Sequence, residues 1–167
     1  MLYGVAYTGV NASSNGNLQF TTSNNAYAND CLPQLATLGT AICANWDDLR
    51  TDATGSGIFT STTGVAPNRV FNIEWRATYY TGGLPTNFEV RFFEDNSRFE
   101  IIYGAMGQDG YGATVGIQHT IYPPTQYSCN TAGLVAHADL HLHQRADPAG
   151  RQRHREPLQR QHLRSEQ

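Results

Sequence analysis

Between Val70 and Tyr80 the side chains change sides at every residue, and no other feature of the chain restricts its fold so strongly. Phe71, Ile73, Trp75, Ala77 and Tyr79 fall on one face, and Asn72, Glu74, Arg76 and Thr78 on the other. A period of two is that of a strand with one face in a core and one in water. The pattern continues after the Gly82-Gly83-Leu84-Pro85 turn. Phe88, Val90 and Phe92 point inward in Asn87–Glu94, opposite Glu89 and Arg91, and Asp95-Asn96-Ser97 makes a hairpin into Arg98–Met106, where Phe99, Ile101 and Tyr103 share a face. A Gly-rich turn at Gly107–Gly112 precedes a further strand, Ala113–Thr120. These four strands read as one antiparallel meander.

The first half points the same way less regularly. Tyr3–Val10 and Asn17–Thr22 flank an Asn-Ala-Ser-Ser-Asn-Gly turn, Gly57–Thr62 forms a short strand, and Ala36–Trp46 fits either a strand or a short helix. Leu134–His143 would close the fold. Short strands separated by turn residues predict an all-β, antiparallel β-sandwich in a single domain over residues 1–143. With 167 residues there is room for one domain.

Composition changes abruptly near the end. Residues 1–135 contain every aromatic and a single histidine, whereas residues 136–167 contain six arginines, five histidines and no aromatic. From Gln144 onward no periodicity survives, so residues 144–167 are expected to be a disordered Arg/Gln-rich tail. The break, in a chain without lysine, suggests a tail read in a shifted frame; the plainer reading is a natural basic tail. A net charge of -3 argues against a nucleic-acid partner, and no apolar run approaches a membrane span. Met1 leads directly into alternating residues, without the basic start and apolar stretch of an export signal. The composition nevertheless favours a secreted or cell-surface protein, with its signal outside this sequence.

Several clusters invite chemistry. Asp47, Asp48 and Asp52 beside a hydroxyl- and glycine-rich loop would supply oxygen ligands to Ca²⁺, although their spacing is not that of an EF-hand and turn capping explains them more simply. Glu74, Glu89 and Glu100 on neighbouring strands would suit glycoside hydrolysis, but Arg76, Arg91 and Arg98 lie beside them, and a nearby arginine lowers the pKa that a catalytic acid needs raised. A charge ladder on a solvated sheet face is the simpler explanation. There is no Gly-x-Ser-x-Gly elbow, and His119 is the sole histidine of the body. His137, Asp139, His141 and His143 would share a strand face able to hold Cu²⁺, Ni²⁺ or Zn²⁺, or be accidental if the tail is out of frame. Of the three cysteines, Cys31 and Cys129 lie in loops and are expected to form a disulfide, leaving Cys43 as a buried thiol.

Residues from about 16 to 120 resemble a nidogen-type extracellular (NIDO-like) module. The resemblance runs through Asn15-Gly16-Asn17-Leu18-Gln19-Phe20, Trp46-Asp47-Asp48-Leu49-Arg50-Thr51-Asp52, Asn72-Ile73-Glu74-Trp75, Asn87-Phe88-Glu89-Val90-Arg91-Phe92, Ile101-Ile102-Tyr103-Gly104 and Ala113-Thr114-Val115-Gly116-Ile117. It implies a secreted or surface β-rich module of adhesion and matrix proteins without established catalytic residues. Gln19 and Glu89 depart from the pattern. The reading that follows is a non-catalytic module, part of a larger secreted protein, that binds an extracellular glycan or protein. Contacts are expected from Asp47, Asp48, Asp52 and the exposed aromatics Tyr79, Tyr80 and Tyr122. The competing expectation is a small secreted polysaccharide hydrolase using Asp47 or Asp48 with Glu74, or a metal-dependent oxidase using the terminal histidines.

Overall fold

A computed structural model describes residues 2–94, 98–136 and 139–141. The expected tail, His137, His143 and the Asp95-Asn96-Ser97 connection lie outside the described residues. The strands are β1 (Asn11–Ser13), β2 (Asn17–Gln19), β3 (Ala41–Trp46), β4 (Leu49–Arg50), β5 (Gly57–Thr63), β6 (Val70–Tyr79), β7 (Pro85–Phe93), β8 (Phe99–Met106), β9 (Thr114–Gln118), β10 (Thr125–Cys129) and β11 (Asp139–His141). One short helix, α1 (Leu35–Leu38), precedes β3.

They form two antiparallel sheets, the predicted sandwich. The first runs β1-β2-β3-β9-β10; the second runs β11-β8-β7-β6-β4, with β5 also paired to β6. The meander holds for β6, β7 and β8, but the fourth strand leaves it: β9 crosses to the other sheet and pairs with β3, Ile42 opposite Ile117. Tyr3–Val10 is not a strand. It keeps a single bridge, Leu2 to Val5, and β1 forms instead from the first residues of the expected turn. The ambiguous stretch from Ala36 is both things in succession, helix and then strand.

Between the sheets Leu18, Ile42, Val115 and Ile117 meet Ile73, Trp75, Phe88, Val90, Ile101 and Tyr103, all buried. Two aromatic side chains tie the sheets through their polar ends. The Trp75 indole N–H donates to the Ser13 carbonyl at 2.9 Å, and the Tyr103 hydroxyl to the Ala44 carbonyl at 2.7 Å. Burying such rings is favourable because these polar tips find partners. Gly16 closes the β1–β2 turn at φ +73°, where a Cβ would stand 2.1 Å from the Asn45 carbonyl oxygen, so only glycine fits.

The first sheet is covered on both faces, which is why every residue of β3 is buried. Residues 20–38 lie over its outer side. Leu38, Ala41, Cys43 and Trp46 make a second small core there with Ala26 and Leu32. Polar side chains are absorbed in the same layer: the Gln19 amide donates to Asn17 Oδ1 and the Asn24 carbonyl, while its oxygen accepts from the Thr22 hydroxyl and the Asn24 N–H. Gln19 is therefore a hub of this layer. The Cys31–Cys129 disulfide forms as expected and pins the covering segment to β10; Cys43 is the buried free thiol, its pKa raised far above the ordinary range by burial.

Candidate functional site

With one sheet covered by its own chain, surface chemistry concentrates on the outer face of the second sheet and on the loops at its rim. On that face each expected carboxylate meets its arginine. Arg76 grips Glu74 with two hydrogen bonds of 3.0 and 2.8 Å, Arg91 Nε donates to Glu89, and Arg98 lies 3.1 Å from Glu100. His141 Nδ1 also approaches Glu100, at 3.3 Å. Register places Glu74 directly opposite Glu89, an unfavourable like-charge pair that the two arginines neutralise. Arg76 holds the Glu74 carboxylate below its usual range, with a further hydrogen bond from Asn87, and this outweighs the opposing effect of burial. Glu74 is thus an ionised ladder member. Phe59 lies under Arg76 and Phe93 under Arg98, at 4.5 and 3.9 Å. Between them Ser61, Thr63, Asn72, Glu89 and Arg91 line an open groove of about 340 Å³.

Away from this face, Arg69 grips Glu94 and draws its pKa down to about 2, from 4.5. Both Glu74 and Glu94 bind a proton less readily in the folded chain than in the unfolded one. Their stabilisation is therefore complete above pH 4.5 and is lost as pH falls from there toward about 2. Melting temperature followed by circular dichroism from about pH 5 to pH 2 is expected to fall more steeply in the natural chain than in Glu74→Gln/Glu94→Gln. Parallel curves would show that these pairs do not set the acid limit.

At one end of the sandwich three connections converge: β3–β4, β6–β7 and β8–β9. The Tyr80 N–H donates to the Asp48 carbonyl at 2.9 Å, and the Gln108 amide reaches the Thr81 carbonyl at 3.4 Å. The Asp47 carboxylate lies against Gly112, where a Cβ would be 3.0 Å from its Oδ2. Partial burial raises the pKa of Asp47, opposed by the Asp48 N–H and reinforced by the Asp48 charge. Tyr80 and Tyr111 stand out from this end, 63% and 69% exposed. Tyr111 was missed from sequence; its signal was an aromatic within the Gly107–Gly112 turn.

The other expected contacts separate. Tyr79 is not a surface residue: alternation turns it inward, it is 2% exposed, and its hydroxyl lies 3.3 Å from the Asn45 amide nitrogen. Tyr122 follows β9 at the opposite end, half-buried and stacked on Tyr3 at 5.4 Å beside His119. Burial lowers the pKa of His119, whose Nδ1 accepts from the Ile121 N–H; the residue is structural. Asp52 is exposed and bound by Arg50 through two hydrogen bonds, so it turns away from Asp47 and Asp48 toward its own arginine. Glu74 points to the sheet face opposite Tyr79, whereas Asp47 lies near the Tyr79 hydroxyl; the carboxylates of the hydrolase expectation do not converge. Among the described residues, no three His, Cys, Asp or Glu side chains gather as metal ligands. Asp139 and His141 lie on β11, paired with β8.

Two packed antiparallel sheets, a disulfide across the loops and aromatics displayed at one end define a β-sandwich module. A family described as NIDO related matches residues 1–148, and the chain belongs to that family. Membership indicates an extracellular module, in keeping with the disulfide. Comparison with curated proteins and with solved structures finds no match. No helix among the described residues is long and apolar enough to cross a membrane.

Proposed function

We propose that this chain is a non-catalytic binding module of a secreted or cell-surface protein, and that it recognises an extracellular glycan or protein through the loop end bearing Asp47, Asp48, Tyr80 and Tyr111. The observation that carries the reading is the convergence of three loops, drawn from both sheets, that display two exposed tyrosines, Tyr80 bonded through its N–H to Asp48 and Tyr111 next to the Gly112 that packs on Asp47. Tyrosine offers a large, rigid contact area at small entropic cost. The arginine partners of Glu74, Glu89 and Glu100 support a binding rather than an acid-catalysed role for the sheet face. Asp47 favours a second reading, since a half-buried carboxyl with a raised pKa is what a general acid requires.

Retention on insoluble polysaccharides and glycan arrays tests the proposal. Tyr80→Ala and Tyr111→Ala are each expected to weaken retention about tenfold or more, as loss of a central aromatic contact does. Unchanged binding in both variants would remove this end of the molecule from the site. Release of reducing sugar by the natural chain, abolished in Asp47→Asn, would establish the hydrolase reading instead. Binding that requires added Ca²⁺ and vanishes in Asp48→Asn would give the aspartates a metal; insensitivity to chelation would remove it.

A further inference from the structure

The free edge of β5 differs from the other sheet edges. Strands β1 and β11 have three residues each, β4 has two, and β10 is broken by a register shift between Gln126 and Ser128. Short length and bulges protect an edge from pairing with another chain. Strand β5 has neither protection. Its seven residues run in unbroken register along β6, from Gly57 opposite Arg76 to Thr63 opposite Val70. Among the described residues no strand pairs with its other side. Gly-Ile-Phe-Thr-Ser-Thr-Thr contains no charge and no proline, and Phe59 through Thr63 are exposed. Half of its backbone donors and acceptors are left facing outward.

Apolar surface accompanies this edge on both faces. Phe59, on the groove side, is 40% exposed; Phe71, on the opposite side and across from Thr62, is 41% exposed although its neighbours Ile73 and Trp75 are buried. The first sheet does not reach over Phe71, so the second sheet overhangs it.

We propose that β5 pairs antiparallel with β5 of a second copy of this chain, about a two-fold axis through Thr60 and perpendicular to the sheet. That register is self-complementary: Gly57 meets Thr63, Ile58 meets Thr62, Phe59 meets Ser61 and Thr60 meets its own copy. All seven residues are paired, each aromatic or aliphatic side chain has a small partner, and the absence of charge on the strand avoids any like-charge opposition across the seam. The two second sheets become one continuous sheet. Ser61 and Thr63 also line the groove, so the pairing sets two grooves on the same face of the joined sheet, one on either side of the seam, and would give the assembly two-site avidity.

Sedimentation equilibrium of the full chain between about 1 and 200 μM is expected to show a monomer–dimer equilibrium in the micromolar range. Thr60→Lys places two ammonium groups directly across the seam and is expected to weaken association about tenfold or more; Thr62→Glu is a second, equally exposed variant, with Thr131→Lys on a distant loop as control. Folding of each variant is checked by circular dichroism. The register is read separately by Thr60→Cys, which is expected to give a disulfide-linked dimer on a non-reducing gel, whereas Thr131→Cys does not. A chain that stays monomeric at the highest concentration overturns the proposal. So does a dimer that Thr60→Lys and Thr62→Glu leave as tight as the control, because the interface then lies elsewhere.

Discussion

Replacing Cys31 and Cys129 together by serine is expected to lower the unfolding free energy by about 4 kcal/mol, read as a fall of about 8–16 °C in melting temperature. The bond joins residues 98 positions apart, and closing so long a loop removes much of the freedom of the unfolded chain. Urea titration of the full chain with and without a reducing agent measures the same quantity, and a loss below about 1 kcal/mol would show that the reduced chain is already constrained. Constraint from other contacts is present. The Leu32 N–H donates to Gln126, the Gln34 N–H to Gln118, and the Thr114 hydroxyl to the Asp30 carbonyl, so several side chains hold the covering segment to β9 and β10. Reduction is therefore expected to loosen residues 24–34 first, and hydrogen exchange there should rise before the second sheet is affected.

Trp75→Ala is expected to cost a further large amount, about 4–5 kcal/mol. The indole is fully buried, stacks on Phe88 at a centroid distance of 5.1 Å and donates across the sandwich to Ser13. Truncation leaves a cavity and also removes the shorter hydrogen bond to the Ser13 carbonyl, which keeps the one from the Gly16 N–H at 3.2 Å. A domain with about 5–15 kcal/mol to spare comes close to unfolding on such a change. Trp75→Phe separates the two effects: it keeps most of the ring packing and loses the N–H, so a loss of about 1–3 kcal/mol is expected. Denaturant titration, monitored by the fluorescence of the remaining Trp46, gives both numbers. Equal losses for the two variants would assign the whole effect to the hydrogen bond.

The part of the fold that could be read in the sequence is the part with one wet face. Glu74, Arg76, Glu89 and Arg91 alternate with Ile73, Trp75, Phe88 and Val90, and local pattern alone places β6, β7 and β8. The first sheet hides this signal, because a strand covered on both sides has no polar register. Ala41–Trp46 consequently reads as an apolar run of either kind. Crossover of β9 into the other sheet is a matter of long-range pairing with β3, which no window of neighbouring residues contains. Strand β10, Thr125–Cys129, carries little alternation and a bulge, and its place depends on β9. At the candidate site, Asp48 and Tyr80 were legible as polar and aromatic groups beside turns. The burial of Tyr79 was legible too, because the alternation that turns Trp75 and Ala77 inward turns Tyr79 with them, against its expected surface role; Phe71 departs from the same alternation because the facing sheet is too narrow to cover it.

The uneven covering of the two sheets has a consequence for how this protein can change. Substitutions at Asn17, Gln19 or Gln118, polar by name, fall inside a packed and hydrogen-bonded layer and carry the penalties of interior positions. The flank bearing Ser61, Arg76 and Arg91 has no such roof, so new specificity can evolve there without disturbing the framework. In this sense the molecule is a tile glazed on one side: its upholstered back fixes the shape, and its bare front is left to diversify.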